Sequence, residues 1–252
     1  MLDVDATRGS KMVDPPRTRA AGSLVIGLDG CPTGWVAVVL RDGRVDGVRV
    51  VTSIRDVLDE VGAEHVGIDM PVGLVDGPRE TDAAARGLLP GRASSVFSTA
   101  ARSVVEGYVA GTVTTHAEAT ACNVAVTGSG LSQQAWRLVP KMAEVEGLAS
   151  SGIVLTEVHP ELAFATIVGE PLPRKRSWPG LMRRREVLAD LGIDLPTRFD
   201  GDTAAAPDDV VDAAVCAWVA DGLACGAPML RVPERTDQVA HGRAIVITVR
   251  KA

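Results

Sequence analysis

Four aspartates of the sequence stand where they could bind metal ions together. Asp29 closes the apolar run "LVIGL" and Asp69 closes "HVGI", whereas Asp209 and Asp212 lie three residues apart, so the last two would share one helix face. Carboxylates that converge in one cleft repel one another unless a cation neutralises them, and Mg²⁺ prefers oxygen ligands. Two such ions about 3.5–4 Å apart would hold the attacking and leaving oxygens of a phosphoryl displacement. The set predicts catalytic metal ligands for two Mg²⁺ or Mn²⁺ ions.

Each aspartate also has a structural explanation. Asp29 could form an Asx-turn that caps the turn at residues 30–34, and Asp69 could start the turn at Pro71. Asp209 could complement a helix dipole. Asp212 lies on an apolar helix face, where a capping role is less natural, so the four residues as a set carry more information than any one of them.

A sheet must bring these acids together, and the sequence around them predicts one. Residues 24–28, 35–40 and 45–51 have the composition of strands, and the last two are joined by an Asp-Gly hairpin signal. A helix capped by Ser53 follows, and a fourth strand comes after it. Two of the acids would then lie at the carboxyl ends of strands, where ligands usually bind in open α/β sheets.

The remaining elements complete an α/β fold with one mixed sheet flanked by helices. Helices are predicted after a Thr81 cap, at 101–126 with a break near Gly111, at 132–148, around 162–168 and 181–191, and from Pro207 to about Gly226. A fifth strand would end at 157–159, and "AIVITVR" would form a last edge strand. Residues 1–22 are polar and aperiodic and are predicted to be a disordered leader. Residues 23–252 are predicted to be a single domain with a helical insertion around 80–150.

Composition restricts the class of protein. The chain has 252 residues, a hydrophobic content of 46% and a net charge of −6, which argues against bulk attraction to nucleic acid but leaves room for a local basic face. Its four cysteines show no CxxC or zinc spacing and are predicted to be thiols in a reducing cytosol. No apolar run approaches the roughly 20 residues that span a bilayer, and no export signal is visible, so a cytoplasmic protein without membrane contact is expected.

Basic and hydroxyl side chains supply candidate phosphate ligands. The trio of Arg92, Ser94 and Ser95 is turn-like and could hold a phosphate. Gln133 and Lys141 could face the cleft from the helix at 132–148, where Ser132 is more readily an N-cap. The dense basic run "PRKRSWPGLMRRRE" is either a solvated helix face or a polyanion contact. The residues of this run predicted to bind phosphate are Lys175, Arg183 and Arg184.

The segment "EVHPE" supplies three further candidates at the end of the fifth strand. Glu157, His159 and Glu161 could add a metal ligand or a general acid–base pair beside the metals. Alternatively, Glu157 pairs with a neighbouring basic side chain and Pro160 starts a helix at its first position. Both interpretations stay open at this point.

Six blocks of the sequence, in order, resemble the DUF429 family: "IGLDGCPTGWVAVVL", "GIDMPVGL", "RASSVFSTAAR", "GLSQQAWRLVPKMAEVE", "EVHPELAFA" and "DDVVDAAVCAWVA". That family is described as predicted nucleases with an RNase H-like fold. The resemblance implies a βββαβαβα-type core with a mixed five-stranded sheet. It also implies metal ligands at Asp29, Asp69, Asp209 and Asp212, water as the nucleophile, and a nucleic acid as substrate.

Two other functions compete with a metal-dependent nuclease. An actin-like or sugar-kinase-type ATP phosphotransferase shares the RNase H-like core and also begins with a strand, an aspartate and a glycine turn. A non-catalytic nucleic-acid-binding module of the same fold is the third possibility. Among nucleic acids, DNA, RNA, hybrid and branched substrates are all compatible with the sequence, as is any oligomeric state.

Overall fold

The computed structural model describes residues 21–251, and a five-stranded mixed sheet forms its centre. The strands are β1 Leu24–Cys31, β2 Gly34–Arg41, β3 Arg44–Val51, β4 His65–Ile68 and β5 Leu155–Glu157. Their order across the sheet is β3-β2-β1-β4-β5. The first three strands form an antiparallel meander, whereas β1, β4 and β5 run parallel to one another. The carboxyl ends of β1, β4 and β5 therefore meet at one edge of the sheet.

Eight α-helices within the described residues cover both faces of this sheet. They are α1 Ile54–Val61, α2 Glu80–Gly87, α3 Arg102–Val109, α4 His116–Thr127, α5 Gln133–Ser150, α6 Pro160–Val168, α7 Trp178–Asp190 and α8 Pro207–Ala224. Of three hydrophobic clusters in the part of the chain that the structure describes, two contain residues of this sheet: one joins it to α1, α3, α4 and α5, and the other joins it to α6, α7 and α8. In residues 21–251, no helix is both long enough and apolar enough to cross a membrane.

Strand alternation decides which core each residue of β1 faces. Ile26 and Leu28 belong to the core beneath α5, and Val25 and Cys31 belong to the core beneath α8. Because successive side chains of a strand point to opposite faces, Asp29 shares the face of Val25 and Cys31. The backbone therefore directs this carboxylate toward α8.

Two paired glycines let α8 lie directly on the sheet. Gly27 of β1 and Gly67 of β4 are opposite each other in the parallel register. A Cβ at Gly27 would lie 2.0 Å from the backbone oxygen of Ala213, and one at Gly67 would lie 2.3 Å from that of Cys216. No side chain fits there, so α8 approaches the two strands closely and carries its first turns over their carboxyl ends.

Most predicted elements are confirmed, but β1 is longer than predicted. It continues through Asp29 to Cys31, because Asp29 pairs with Val36 of β2 and a two-residue turn joins Cys31 to Gly34. The Ser53 cap, the break near Gly111, the Ser132 cap and the Pro207 start of α8 are as predicted. The four cysteines are free thiols in the described part of the chain.

Two predictions about local structure are wrong. Thr81 does not cap α2, because the helix begins at Glu80 and the buried Thr81 hydroxyl donates a hydrogen bond to the backbone oxygen of Ile245 at 2.9 Å. The last strand, β9 Ile247–Arg250, is not an edge of the main sheet. It pairs antiparallel with a strand that the sequence did not indicate, and a short hairpin lies between them. These strands are β6 Met229–Val232, β7 Val239–Ala240, β8 Arg243–Ala244 and β9 Ile247–Arg250.

The predicted leader lies almost wholly outside the described residues, which begin at residue 21. Helices α2 to α5 occupy the stretch between β4 and β5, where the helical insertion is predicted.

Candidate metal centre

Three aspartates from three different elements meet at the carboxyl edge of the parallel strands. Leu28 is opposite Ile68 in the register, and the Asp69 amide donates to the Leu28 oxygen at 2.9 Å, so Asp29 and Asp69 follow at the same level. Asp212 reaches them from α8. One carboxylate oxygen from each of the three lies within 4.8 Å of the others. We call these three residues the acid cluster.

Burial and mutual repulsion make the acid cluster hard to ionise fully. Burial raises the pKa of Asp29 well above its ordinary value, and the Asp69 and Asp212 carboxylates raise it further. Burial likewise raises the pKa of Asp69 to about 6 and that of Asp212 to about 7, although Lys175 acts in the opposite direction on both. A divalent cation would favour the ionised form of all three carboxylates.

The residues present fit a hard divalent cation. Asp212 is 1% exposed, and its Oδ1 is buried with no hydrogen-bond partner among residues 21–251. A buried acceptor without a partner costs free energy unless another group satisfies it. Carboxylate oxygens are the ligands that Mg²⁺ and Mn²⁺ prefer. The donor set and the unpaired oxygen are what such an ion requires.

Asp209 lies beside the acid cluster rather than in it. Its Oδ2 accepts a hydrogen bond from the Ala206 backbone amide at 3.2 Å, across the first turn of α8. This contact corresponds to the structural explanation, in which Asp209 complements the helix N-terminus. Asp209 still lines the same cleft, and burial raises its pKa.

Lys175 brings a positive charge into the acid cluster. Its ammonium donates to Asp212 Oδ2 and lies 3.9 Å from Asp208 Oδ2. Burial disfavours this charged ammonium, but Asp212, Asp29 and Asp69 together raise the pKa of Lys175 above its usual value. The lysine is therefore charged and partly neutralises the carboxylates.

The acid cluster opens into a cleft of about 1210 Å³ whose wall is rich in cations. Arg92, Ser94, Ser95, Lys141 and Lys175, which the sequence predicts as phosphate ligands, all line this cleft. The Ser94 side chain is exposed, whereas the Ser95 hydroxyl donates to the Arg92 oxygen at 2.8 Å. Lys141 stacks over the Trp35 ring at 4.7 Å and fills the space beside Gly30, where a Cβ would lie 2.9 Å from its Cδ.

The other three predicted phosphate ligands do not line the cleft. Gln133 is exposed and contacts His116 at 2.8 Å, and Arg183 pairs with Glu186 at 3.3 Å on the exposed face of α7. Arg184 is fully buried, where it donates two hydrogen bonds of 2.8 Å to Glu161. Helix periodicity explains Gln133, because the adjacent Gln134 lines the cleft in its place. Arg183 and Arg184 belong to α7, none of whose residues lines the cleft.

The three candidates of "EVHPE" build the walls of the site. Glu157 is buried against Arg79, as the structural alternative states, and also accepts from the Val72 amide at 2.8 Å. Glu161 lines the cleft and holds Arg92 at 3.1 Å as well as Arg184. These pairs hold the surrounding loops in place.

The His159 ring makes hydrogen bonds to the backbone on two sides. Its Nδ1 accepts from the Leu162 amide at 3.3 Å at the start of α6, and the ring also bonds the Ser95 backbone. Burial lowers the pKa of His159, so the imidazole is neutral near pH 7. It supports the Ser95 loop, and Pro160 starts α6 at its first position, as predicted.

Several cleft residues were not among the predicted phosphate ligands, although two of them belong to the basic run that could contact a polyanion. Arg174 and Arg176 line the cleft on either side of Lys175, and Arg137 faces it from α5. Gln134, Arg137 and Lys141 follow one another at intervals of three and four residues, which is the spacing of one helix face. That spacing, extended backward from Lys141, would have identified Gln134 instead of Gln133.

Comparison with known proteins adds a family match. The DUF429 family model, described as a protein of unknown function, matches residues 27–237. Neither a curated protein nor a solved structure matches the chain. The matched region contains the acid cluster and all the cations of the cleft.

Proposed function

The chain belongs to the DUF429 family, and we propose that it is a metal-dependent nuclease that hydrolyses phosphodiester bonds of a nucleic acid. One observation carries the proposal. Three carboxylates that are distant in the sequence lie within 4.8 Å of one another at the base of a cleft whose walls carry arginines and lysines. The carboxylates suit a divalent cation, and the cations suit phosphates.

The strand order supports an RNase H-like core. An antiparallel meander of three strands is followed by two parallel strands on the other side of β1, giving the order β3-β2-β1-β4-β5. Helix α8 packs on the face toward which Asp29 points. In this interpretation α2 to α5 are the insertion between the fourth and fifth strands, and the rest of residues 23–252 form the single domain.

The chain's own side chains have distinct tasks in this mechanism. Asp29, Asp69 and Asp212 would hold the ion, which when bound supplies Lewis-acid polarisation of a phosphate oxygen and lowers the pKa of a water molecule. Arg92, Arg137 and Lys141 would orient the phosphate backbone without regard to base sequence. Trp178 is 74% exposed two residues beyond Arg176, and it could stack on an unpaired base.

The β1–β2 turn gives little support to an ATP phosphotransferase. Only Pro32 and Thr33 lie between the paired residues Cys31 and Gly34. Proline has no backbone N–H, so this turn offers few donors to a triphosphate. A nuclease needs no such loop, and the described residues contain one acid cluster that would serve it.

The experiment compares wild type with Asp29→Asn on single-stranded, duplex, branched and RNA–DNA hybrid substrates in Mg²⁺ or Mn²⁺. We expect cleavage by wild type and a loss of roughly a hundredfold or more in Asp29→Asn, because even indirect support of a metal commonly contributes 10–100-fold. The variant should remain folded by thermal unfolding, since asparagine removes a buried like charge. Asp190→Asn, exposed at the far end of α7, is the matched control and should cleave like wild type.

Three results would contradict the proposal. Equal cleavage by wild type and Asp29→Asn would remove the acid cluster from the mechanism. Phosphoryl transfer from ATP would favour the kinase alternative. Retention of nucleic acid without turnover in either metal would favour the non-catalytic module.

A further inference from the structure

We infer that the acid cluster takes one divalent cation rather than two, and that the Lys175 ammonium is the second positive charge of the site. The inference deepens the proposed function, on which it rests for the chemistry that the two charges serve. It differs from the sequence expectation of two ions. It is carried by the number of available carboxylates, the position of Lys175 and the way the Lys175 loop is anchored.

The number of ligands favours a single ion. Asp29, Asp69 and Asp212 form the one group of three or more potential metal ligands found in residues 21–251. The fourth predicted ligand, Asp209, already uses one oxygen to accept from the Ala206 amide. Three carboxylates carry three negative charges, which one divalent ion and one ammonium neutralise. A second divalent ion would leave the group with an excess of positive charge, and like charges in a buried site repel strongly.

Lys175 and the ion would use different oxygens of one carboxylate. The Lys175 ammonium bonds Oδ2 of Asp212. The Oδ1 of the same side chain is buried and has no hydrogen-bond partner in the described chain. The lysine therefore satisfies one side of Asp212 and leaves the other side for a metal, so the two cations can be present together.

The backbone around Lys175 is fixed to α7. A Cβ at Gly180 would lie 2.0 Å from the Arg174 oxygen, so the loop rests directly on this helix. Arg184, which is fully buried, donates to the Pro173 oxygen at 2.7 Å, and the Ser177 hydroxyl donates to the Arg174 oxygen at 2.7 Å.

The next residue is held as well. Arg176 donates to Asp208 of α8 at 3.2 Å, so both neighbours of Lys175 are anchored. A long side chain on a mobile loop could leave when a metal arrives. A side chain whose loop is held on both flanks remains in the site, which is why Lys175 acts as a permanent cation.

The test measures Mn²⁺ binding to the full chain by calorimetry and by the electron paramagnetic resonance of free Mn²⁺. Wild type should bind one Mn²⁺ ion per chain, and Asp29→Asn should bind none. Removing the ammonium in Lys175→Gln should raise the Mn²⁺ affinity roughly tenfold or more, because a nearby like charge is gone. Lys175→Arg keeps the charge and should retain one ion per chain.

Arg183→Gln is the matched control, because it removes the same charge from the same basic run. The Arg183 guanidinium pairs with Glu186 on the exposed face of α7, outside the cleft, so the Mn²⁺ affinity should change by less than about threefold. If Lys175→Gln does not fold by circular dichroism, the wild-type stoichiometry and Lys175→Arg still decide the question.

Two ions per wild-type chain, both lost in Asp29→Asn, would overturn the inference while leaving a nuclease possible. An unchanged Mn²⁺ affinity in folded Lys175→Gln would overturn it as well. One ion per wild-type chain with the expected Lys175→Gln response, but without cleavage of any substrate, would support the inference and refute the proposed function.

Discussion

Replacing Gly27 with alanine tests how α8 carries Asp212 to the sheet. A Cβ at this position would lie 2.0 Å from the Ala213 oxygen and 2.1 Å from the Ala217 nitrogen, and both are backbone atoms of α8. Ordinary contacts of a Cβ begin at 3.4 Å, so α8 would have to retreat from β1 by more than about 1 Å. Metal–ligand distances tolerate only about 0.2 Å, so Asp212 would leave the acid cluster.

The expected cost follows from the rigidity of the obstructing atoms. Overpacking of a core typically costs about 1–3 kcal/mol, and a helix backbone cannot move aside as a flexible side chain can. We therefore expect Gly27→Ala to lower the free energy of unfolding by about 3 kcal/mol, measured by urea denaturation in EDTA. Mn²⁺ titration of the folded variant should show a large loss of affinity.

Gly47→Ala is the matched control in the same sheet. A Cβ there would meet only the Arg49 side chain, at 3.9 Å, so the free energy of unfolding should change by no more than about 0.5 kcal/mol. The reasoning fails if Gly27→Ala unfolds at the wild-type urea concentration and binds Mn²⁺ with wild-type affinity.

Two further predictions concern pH and the wall of the site. The pKa values of Asp69 and Asp212, about 6 and about 7, lie above the ordinary 3.8, so the metal-free folded chain binds these protons more tightly than the unfolded chain. Their stabilising contribution is present below about pH 4 and is lost as the pH rises through 6 and 7. In EDTA, the Tm of wild type should therefore fall relative to that of Asp29→Asn as the pH rises from 5 to 8. Mg²⁺ should raise the wild-type Tm more at pH 8 than at pH 5. A wild-type Tm that rises relative to that of Asp29→Asn over this pH range would contradict the expectation. Glu157→Gln should lower the free energy of unfolding by about 3 kcal/mol, because it leaves the buried Arg79 partly unpaired. Its Mn²⁺ stoichiometry should not change, and a loss of Mn²⁺ binding without loss of stability would instead make Glu157 a ligand.

The acid cluster was predictable because its members interrupt or follow strongly apolar segments. Asp29 lies in the buried strand β1, Asp69 follows the buried strand β4, and Asp212 lies in a helix that is apolar nearly all round. Asp209 has the same spacing signal as Asp212. The sequence favours Asp212, which lies on an apolar helix face, but it does not remove Asp209 from the set. In the structure, the Asp209 carboxylate accepts a backbone hydrogen bond at the helix start.

The basic run shows where sequence patterns lose information. Lys175 enters the acid cluster, Arg183 stays on the surface and Arg184 is buried against Glu161, although all three belong to one stretch of like charge. Helix rotation and distant acidic partners separate them, and neither is visible in composition. For a similar reason β6 escaped prediction, since it is short, lies between prolines and pairs only with β9.

The close contact of α8 with the paired glycines has a consequence for the newly made chain. Asp29 and Asp69 emerge from the ribosome long before Asp212, so the third carboxylate of the acid cluster joins the other two only after α8 has been synthesised. The proposed hydrolytic activity would therefore begin only when the late helix has packed on the sheet, together with completion of the fold.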